Sequence, residues 1–206
     1  LLFINNSTFP VGETEHLQGL LQQSQLGVAL PDMLEEGRAW VTFTRPTRWL
    51  LGCDDTESER LVRELLRAFN RRSEIFQSMP RRAAELTKLA INGMLATRIS
   101  FMNEIAGLAD TLGVDVEYVR QGMGADTRIG FEYLYPGCGF GGPNFSRDLM
   151  RLADVQFSSG RASALLEQVM DINENKKETL FRKLWAHFDG NLQGKTIAIW
   201  GAAFKP

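Results

Sequence analysis

The stretch RAAELTKLAINGMLATRISFMNEIAGLADTL, residues 82–112, dominates the fold prediction for this chain. It contains no proline and only two glycines, Gly93 and Gly107. Its apolar side chains recur at intervals of three to five residues, the spacing that places them on one face of an α-helix. They are Leu86, Leu89, Met94, Ile99, Met102, Ile105, Leu108 and Leu112. The sequence therefore predicts one long helix, or two in close succession, ending at Gly113.

The residues before this helix alternate between strand and helix patterns. Apolar or bulky runs at 1–5, 49–52 and 74–79 predict three strands, and the first leads into a loop, NSTFPVG. Helices are predicted from about 13 to 23 and from about 54 to 70, the second opened by Asp or Thr as N-cap. Strands separated by helices indicate an α/β unit with a largely parallel sheet.

The residues after the long helix predict further helices. Asp115 can cap a short helix that runs through Met123, and a glycine-rich stretch follows at 130–142. Helices are then expected from near residue 144 and over 162–188, and a buried strand over 197–201. Since 1–5 and 197–201 both resemble buried strands without a neighbour, we expect the chain to begin and end inside α/β domains.

Composition limits the classes of function. The chain has 206 residues, a net charge of −2, 44% hydrophobic and 23% charged residues, which is typical of a soluble globular protein. These values give no reason to expect nucleic acid or an anionic membrane as a partner, and no apolar run approaches the ~20 residues of a membrane span. Two cysteines and two histidines without ligand spacing predict neither a disulfide framework nor a metal site. A reducing, cytoplasmic location is the expectation.

Five blocks of the sequence, in order, resemble the UDP-glucose/GDP-mannose (nucleotide-sugar 6-) dehydrogenase family. They are NSTFPVGET at 6–14, LPDMLEEGRA at 30–39, the long block at 84–130, PGCGFGGPNFSRDL at 136–149 and GKTIAIWGAAFKP at 194–206. The long block is specific by itself, and the others gain weight from their order and spacing.

The resemblance implies a fold and an activity. Members oxidise the C6 alcohol of a nucleotide sugar, UDP-glucose by default here, to a carboxylate in two NAD-dependent steps that serve polysaccharide biosynthesis. On that map, residues 1–80 are the C-terminal portion of a Rossmann-like NAD domain, 81–190 a central helical dimerisation domain, and 191–206 the first strand of a second Rossmann-like domain. A homodimer is expected. No GxGxxG fingerprint follows a predicted strand, so the NAD cradle is not recognisable.

The resemblance also assigns site residues. Lys88 and Asn92, four apart on the long helix, would stabilise negative charge on the C6 oxygen, and Asp148 would position water and the lysine. From spacing alone, the first two would be a solvated helix face. The remaining assignments are Asp32 as a shortened catalytic carboxylate, Thr8 and Arg147 beside the cofactor, and Arg128, Tyr133, Gly141 and Lys205 at the nucleotide sugar. Arg128 would reach across a dimer.

Asn144 is the main departure from the family pattern. It stands where the family has a cysteine that attacks the C6 aldehyde as a thiolate. A carboxamide nitrogen has a delocalised lone pair and cannot form a thioester, although asparagine is a good helix N-cap. Cys138, six residues earlier, is a weak substitute.

Three alternatives remain open from the sequence. The protein is a relative that binds nucleotide sugar without the full oxidation, or stops at alcohol–aldehyde exchange. It is an active dehydrogenase in which Asn144 was introduced or is tolerated. Or it is a non-catalytic dimerisation module.

Overall fold

The computed structural model describes residues 1–21, 26–69 and 75–201. The chain divides into two compact units, Leu1–Ile91 and Asn92–Phe204. The boundary falls within helix α4, Arg81–Leu112. This helix confirms the long helix predicted over 82–112. The fold is mixed α/β, with a four-stranded sheet in the first unit.

The first unit alternates strands and helices. Its elements are β1 Leu2–Asn5, α1 Glu13–Gly19, β2 Leu26–Ala29, α2 Ala39–Thr44, β3 Trp49–Gly52, α3 Thr56–Leu65, a 3-10 turn Leu66–Ala68 and β4 Phe76–Met79. Asp55 caps α3 as expected, accepting from the Ser58 amide at 2.7 Å. Strand β2 and helix α2 were missed, and the predicted ends at residues 23, 70 and 74 lie outside the described residues.

The prediction of a largely parallel sheet is confirmed, with one short antiparallel contact. The strand order is β1-β2-β3-β4, and the outer pairs β1–β2 and β3–β4 are parallel. The central pair β2–β3 is antiparallel and meets through a single register pair, Ala29 opposite Gly52. Parallel pairs need a crossover, which α1 and α3 supply, whereas an antiparallel neighbour can be reached without one.

The register aligns the last residues of all four strands. Asn5 pairs with Ala29, Ala29 with Gly52, and Gly52 with Met79. The loops that leave β1 and β2 therefore begin side by side at the carboxyl ends of a parallel pair, which is where open α/β sheets bind their ligands. The core beneath the sheet contains Val28, Leu30, Trp49, Leu51, Val62 and Leu66.

The second unit is helical. After α4 come α5 Val116–Ala125, α6 Pro143–Ser158, α7 Ala164–Lys177 and α8 Thr179–His187. Asp115 caps α5 as predicted, accepting from the Glu117 amide at 2.9 Å. The single helix expected over 162–188 is instead two helices interrupted at Glu178, which keeps right-handed helical angles. Because no glycine or proline marks the interruption, the sequence pattern does not reveal it.

The predicted strand over 197–201 does not form within the described residues. Residues 195–201 carry no strand assignment, and the Ile199 and Trp200 side chains are exposed. A strand needs a neighbouring strand for its backbone groups, and among the described residues none is paired with 195–201 in a sheet. In the part of the chain that the structure describes, no helix combines the length and apolar character needed to cross a membrane.

Candidate active site

Two loops of the first unit carry candidate residues at the ends of adjacent strands. Thr8 lies in the loop that leaves β1, and Asp32 lies in the loop that leaves β2. Asn6 ties the loops together, because its side-chain amide donates to the Leu30 carbonyl at 2.6 Å. Asp32 itself is half-buried and accepts from the Leu34 amide at 3.1 Å, which is a local loop contact. The structure thus brings Thr8 and Asp32 to one edge of the sheet.

A buried carboxylate holds the first of these loops. Glu85 of α4 is 3% exposed and accepts three hydrogen bonds. The Gly12 amide donates at 2.6 Å, the Thr14 amide at 2.9 Å and the Thr14 hydroxyl at 2.6 Å. Asn5, also buried, donates to the same hydroxyl at 2.9 Å. Glu85 therefore satisfies the free amides at the start of α1, where an anion is favoured.

In the second unit, Asn92 and Asp148 form a buried pair. The Asn92 side-chain amide donates to the Asp148 carboxylate at 2.6 Å, and Asp148 is 1% exposed. Two arginines of α6 flank the other carboxylate oxygen, Arg147 Nε at 3.1 Å and Arg151 Nη1 at 3.8 Å. The positive charges stabilise an anion that burial alone would disfavour. Lys88 precedes Asn92 by four residues in α4, as the sequence dictates.

Asn144 lies on the exposed first turn of α6. Its predicted role as N-cap is wrong, because Gly142 is the N-cap and Pro143 occupies the first helical position. Gly142 has φ 79° and ψ 172°, a backbone conformation that is essentially restricted to glycine. The Asn144 side-chain oxygen accepts from Arg147 Nη2 at 3.2 Å. A polar chain therefore runs from Asn92 through Asp148 and Arg147 to Asn144.

Two buried asparagines fix the glycine-rich loop before α6, and sequence reasoning missed both. The Gly137 amide donates to Asn103 Oδ1 at 2.8 Å. The Phe140 amide donates to Asn173 Oδ1 at 2.7 Å, and Asn173 Nδ2 donates back to the Phe140 carbonyl at 3.1 Å. In the sequence, each is a single polar residue among the apolar positions of a helix. One such residue does not change the predicted helix and so does not indicate a function.

This loop does not fit the pyrophosphate of NAD. Gly137, Gly139 and Gly142 match GxGxxG spacing, but residues 131–136 before them form turns and coil rather than a strand. Phe140 uses its amide and carbonyl on Asn173, so these groups are not available to a phosphate. The described residues contain no other glycine cluster of this kind. The described residues therefore contain no glycine-rich loop that could bind the pyrophosphate of the expected NAD.

The remaining substrate candidates are placed as follows. Arg128 is exposed and forms a two-pronged contact with Asp126, with Nε at 2.9 Å and Nη2 at 2.6 Å, which holds the pKa of that carboxyl below its usual value. Tyr133 has φ 59° and packs its ring against Phe145 at 6.1 Å. Gly141 is exposed, with open space around it. Lys205 lies outside the described residues.

The cysteines differ in environment. Cys138 is exposed in the glycine-rich loop. Cys53 is half-buried, and burial, followed by the charges of Glu59 and Asp55, raises the pKa of its thiol to about 11. Among the described residues, no group of three or more metal-ligating side chains comes together.

The amino-acid sequence is similar to that of known nucleotide-sugar dehydrogenases. The UDP-glucose/GDP-mannose dehydrogenase family, central domain, matches residues 82–175. The UDP-glucose 6-dehydrogenase of Pseudomonas aeruginosa is 42% identical over 214 residues, which cover 100% of this chain and 47% of that protein. The UDP-glucose 6-dehydrogenase TuaD of Bacillus subtilis is 34% identical over 211 residues, 100% of this chain and 45% of that protein. The chain thus spans about half the length of the curated relatives it matches.

Solved structures of dehydrogenases share the fold of this chain. The UDP-glucose dehydrogenase from Pyrobaculum islandicum superposes with a TM-score of 0.85 and 31% identity over 91% of this chain and 44% of that one. The UDP-N-acetyl-mannosamine dehydrogenase Cap5O from Staphylococcus aureus, at 17% identity and a TM-score of 0.78 over 98% of this chain and 47% of that one, shares the fold.

Proposed function

We propose, because the chain belongs to the UDP-glucose/GDP-mannose dehydrogenase family, that the whole protein binds a nucleotide sugar and fails to oxidise it to the carboxylate. UDP-glucose is the expected substrate, since the two bacterial relatives from Pseudomonas aeruginosa and Bacillus subtilis are UDP-glucose 6-dehydrogenases. The observation that carries the proposal is Asn144 on the exposed first turn of α6, next to the buried Asp148–Asn92 pair.

The retained residues suit the first half of the reaction. A side-chain amide such as that of Asn92 can donate to an oxygen that gains negative charge, and Lys88 would supply a cation there. Asp148 holds the Asn92 amide at 2.6 Å and so fixes its orientation. These groups would serve the conversion of an alcohol carbon to an aldehyde, in which NAD+ would accept the hydride and no covalent bond to the protein is needed.

The second half of the reaction needs a nucleophile. The aldehyde carbon must gain a bond to sulfur or oxygen before it can lose a second hydride, and the family uses a thiolate for this addition. The Asn144 carboxamide cannot add to the carbon, and its oxygen already accepts from Arg147 at 3.2 Å. The protein would therefore bind the sugar, and exchange at most alcohol and aldehyde.

The NADH released per UDP-glucose tests this proposal. We would measure it for the whole protein, for Asn144→Cys, and for Ser146→Cys, which places a thiol two residues further along α6 as the matched control. We expect at most one equivalent from the unmodified protein and from the Ser146 variant, and two from Asn144→Cys. Two equivalents from the unmodified protein would mean that another nucleophile exists and that the proposal is wrong.

An exposed apolar stripe on α4 favours a second candidate function, a homodimerisation module. Met94, Phe101 and Leu108 follow each other at seven-residue intervals and are 62%, 48% and 54% exposed. Apolar side chains in this spacing form one seam along a helix, suited to a second copy of the chain. Light scattering with and without UDP-glucose separates the two functions. A dimer that UDP-glucose neither binds nor stabilises would favour the module alone.

A further inference from the structure

The glycine-rich loop 137–142 is held by a side chain that imitates a neighbouring strand. Asn173 Oδ1 accepts from the Phe140 amide at 2.7 Å while Asn173 Nδ2 donates to the Phe140 carbonyl at 3.1 Å. One carboxamide thus satisfies both backbone groups of one residue, which is the pattern of a β-ladder pair. Asn173 is 1% exposed and Phe140 is 7% exposed, so water has little access to replace these bonds.

Gly139 allows this close approach. It has φ +94°, which side-chain-bearing residues rarely adopt. A Cβ atom at this position would lie 2.7 Å from Asn173 Oδ1, well inside the van der Waals contact distance of the two atoms. The loop conformation and the asparagine therefore depend on each other, and a change on either side breaks the same contact.

The other end of the loop is anchored by a second buried asparagine, through a single hydrogen bond. Asn103 of α4, also buried, accepts from the Gly137 amide at 2.8 Å. Its own side-chain nitrogen is buried without a hydrogen-bond partner among the described residues. A buried nitrogen without a partner destabilises the fold, and an apolar residue at position 103 would avoid this. The hydrogen bond to the loop is therefore what an asparagine contributes at this position.

The loop leads directly into the candidate site. Gly142 ends the loop and caps α6, and Asn144 and Asp148 follow on the first two turns. The Phe140 ring packs against Phe145 at 5.6 Å, which couples the loop to the same turn of α6. The position of the α6 N-terminus is therefore set by where Phe140 is held.

We propose that Asn173 is a positioning residue, which fixes the glycine loop so that the first turn of α6 is pre-formed for the nucleotide sugar. The part that concerns the sugar rests on the proposed function above. The part that concerns the loop stands without it, because the contacts are within the chain.

Hydrogen exchange of residues 137–142 tests the loop. The variants are Asn173→Ala and Gly139→Ala, which break the contact from opposite sides, and Asn175→Ala as the control. Asn175 lies on the same helix, but it is exposed and donates to the Asp171 carbonyl at 2.9 Å. We expect the loop amides to exchange roughly tenfold faster in the first two variants, since a buried amide loses its acceptor, and at the unmodified rate in the control.

Binding of UDP-glucose to the whole protein, measured by calorimetry, tests the sugar. We expect Asn173→Ala to weaken binding about tenfold without loss of helix signal. Unchanged loop exchange in Asn173→Ala would overturn the proposal, as would faster exchange with unchanged affinity. If the unmodified protein does not bind UDP-glucose but the loop responds as expected, the proposed function fails while the loop assignment holds.

Discussion

Replacing Glu85 by glutamine should destabilise the first unit, and the contacts of Glu85 indicate by how much. The substitution preserves size and removes the charge. The carbonyl oxygen of a glutamine can keep the two bonds from Thr14, at 2.9 and 2.6 Å. The new NH2 group then faces the Gly12 amide, which in the unmodified protein donates at 2.6 Å. Two donors would stand opposite each other in a site that is 3% exposed.

The expected cost is dominated by this one contact. A hydrogen bond to a charged group contributes about 1.5–3 kcal/mol, and its loss here leaves a buried amide unsatisfied. Removal of a buried charge offsets part of the loss, since the carboxylate had to be desolvated. We expect the free energy of unfolding of the first unit to fall by about 2 kcal/mol.

Tryptophan fluorescence during urea unfolding measures this change selectively. Of the four tryptophans, Trp49 in the sheet of the first unit is buried, and the others are at least about half exposed. The control is Glu64→Gln, which removes an exposed ion pair with Arg60 and should leave the midpoint almost unchanged, since exposed ion pairs contribute little to stability. If Glu85→Gln shifts the midpoint no more than the control does, the carboxylate is not what holds the loop.

Two further predictions concern buried groups elsewhere. In Cys138→Ser protein, Cys53 should react slowly with iodoacetamide at pH 8, because little of its thiol is ionised at that pH. The reaction rate should rise until the pH reaches the pKa of Cys53, about 11. A midpoint near the ordinary value of 9.0 would contradict the burial of the thiol. Because the folded protein holds this proton more tightly than the unfolded chain, stability should be lost as pH rises through 9.0 toward about 11. Leu149→Ala removes a fully buried side chain of α6 and should cost about 2–5 kcal/mol by urea unfolding followed by circular dichroism. Met150→Ala, on the exposed side of the same helix, should change it by about 0.5 kcal/mol or less, and equal effects would refute the packing assigned to α6.

Helix α4 was predictable because its apolar side chains repeat regularly over many turns. Strand β2 was not, because half of its four residues, LGVA, are glycine and alanine, which are depleted in strands. Helix α2 has the sequence AWVTFT, whose β-branched and aromatic residues favour a strand. The antiparallel contact of β2 with β3 depends on which strand ends meet, and no local pattern records that.

The chemical groups of the candidate site were visible in the sequence, but their partners were not. A carboxylate at position 85 and an asparagine at position 173 each look like solvent-facing residues of a helix. Their backbone partners are 71 to 73 and 33 residues away, and only folding brings them together. The Asn144 prediction was half right for the same reason: the residue is near the start of α6, but Gly142 is the cap.

The sequence by itself determined which atoms are present, since covalent structure is fixed before folding. It places a carboxamide at position 144, and no packing can give that group the nucleophilicity of a thiolate. The tertiary structure alone decided which polar groups are buried and paired. Asn5, Glu85, Asn103, Asp148 and Asn173 all lie away from water with partners remote in sequence or on another element. Burial and pairing are properties of distance in space, which a linear pattern of residue types does not contain.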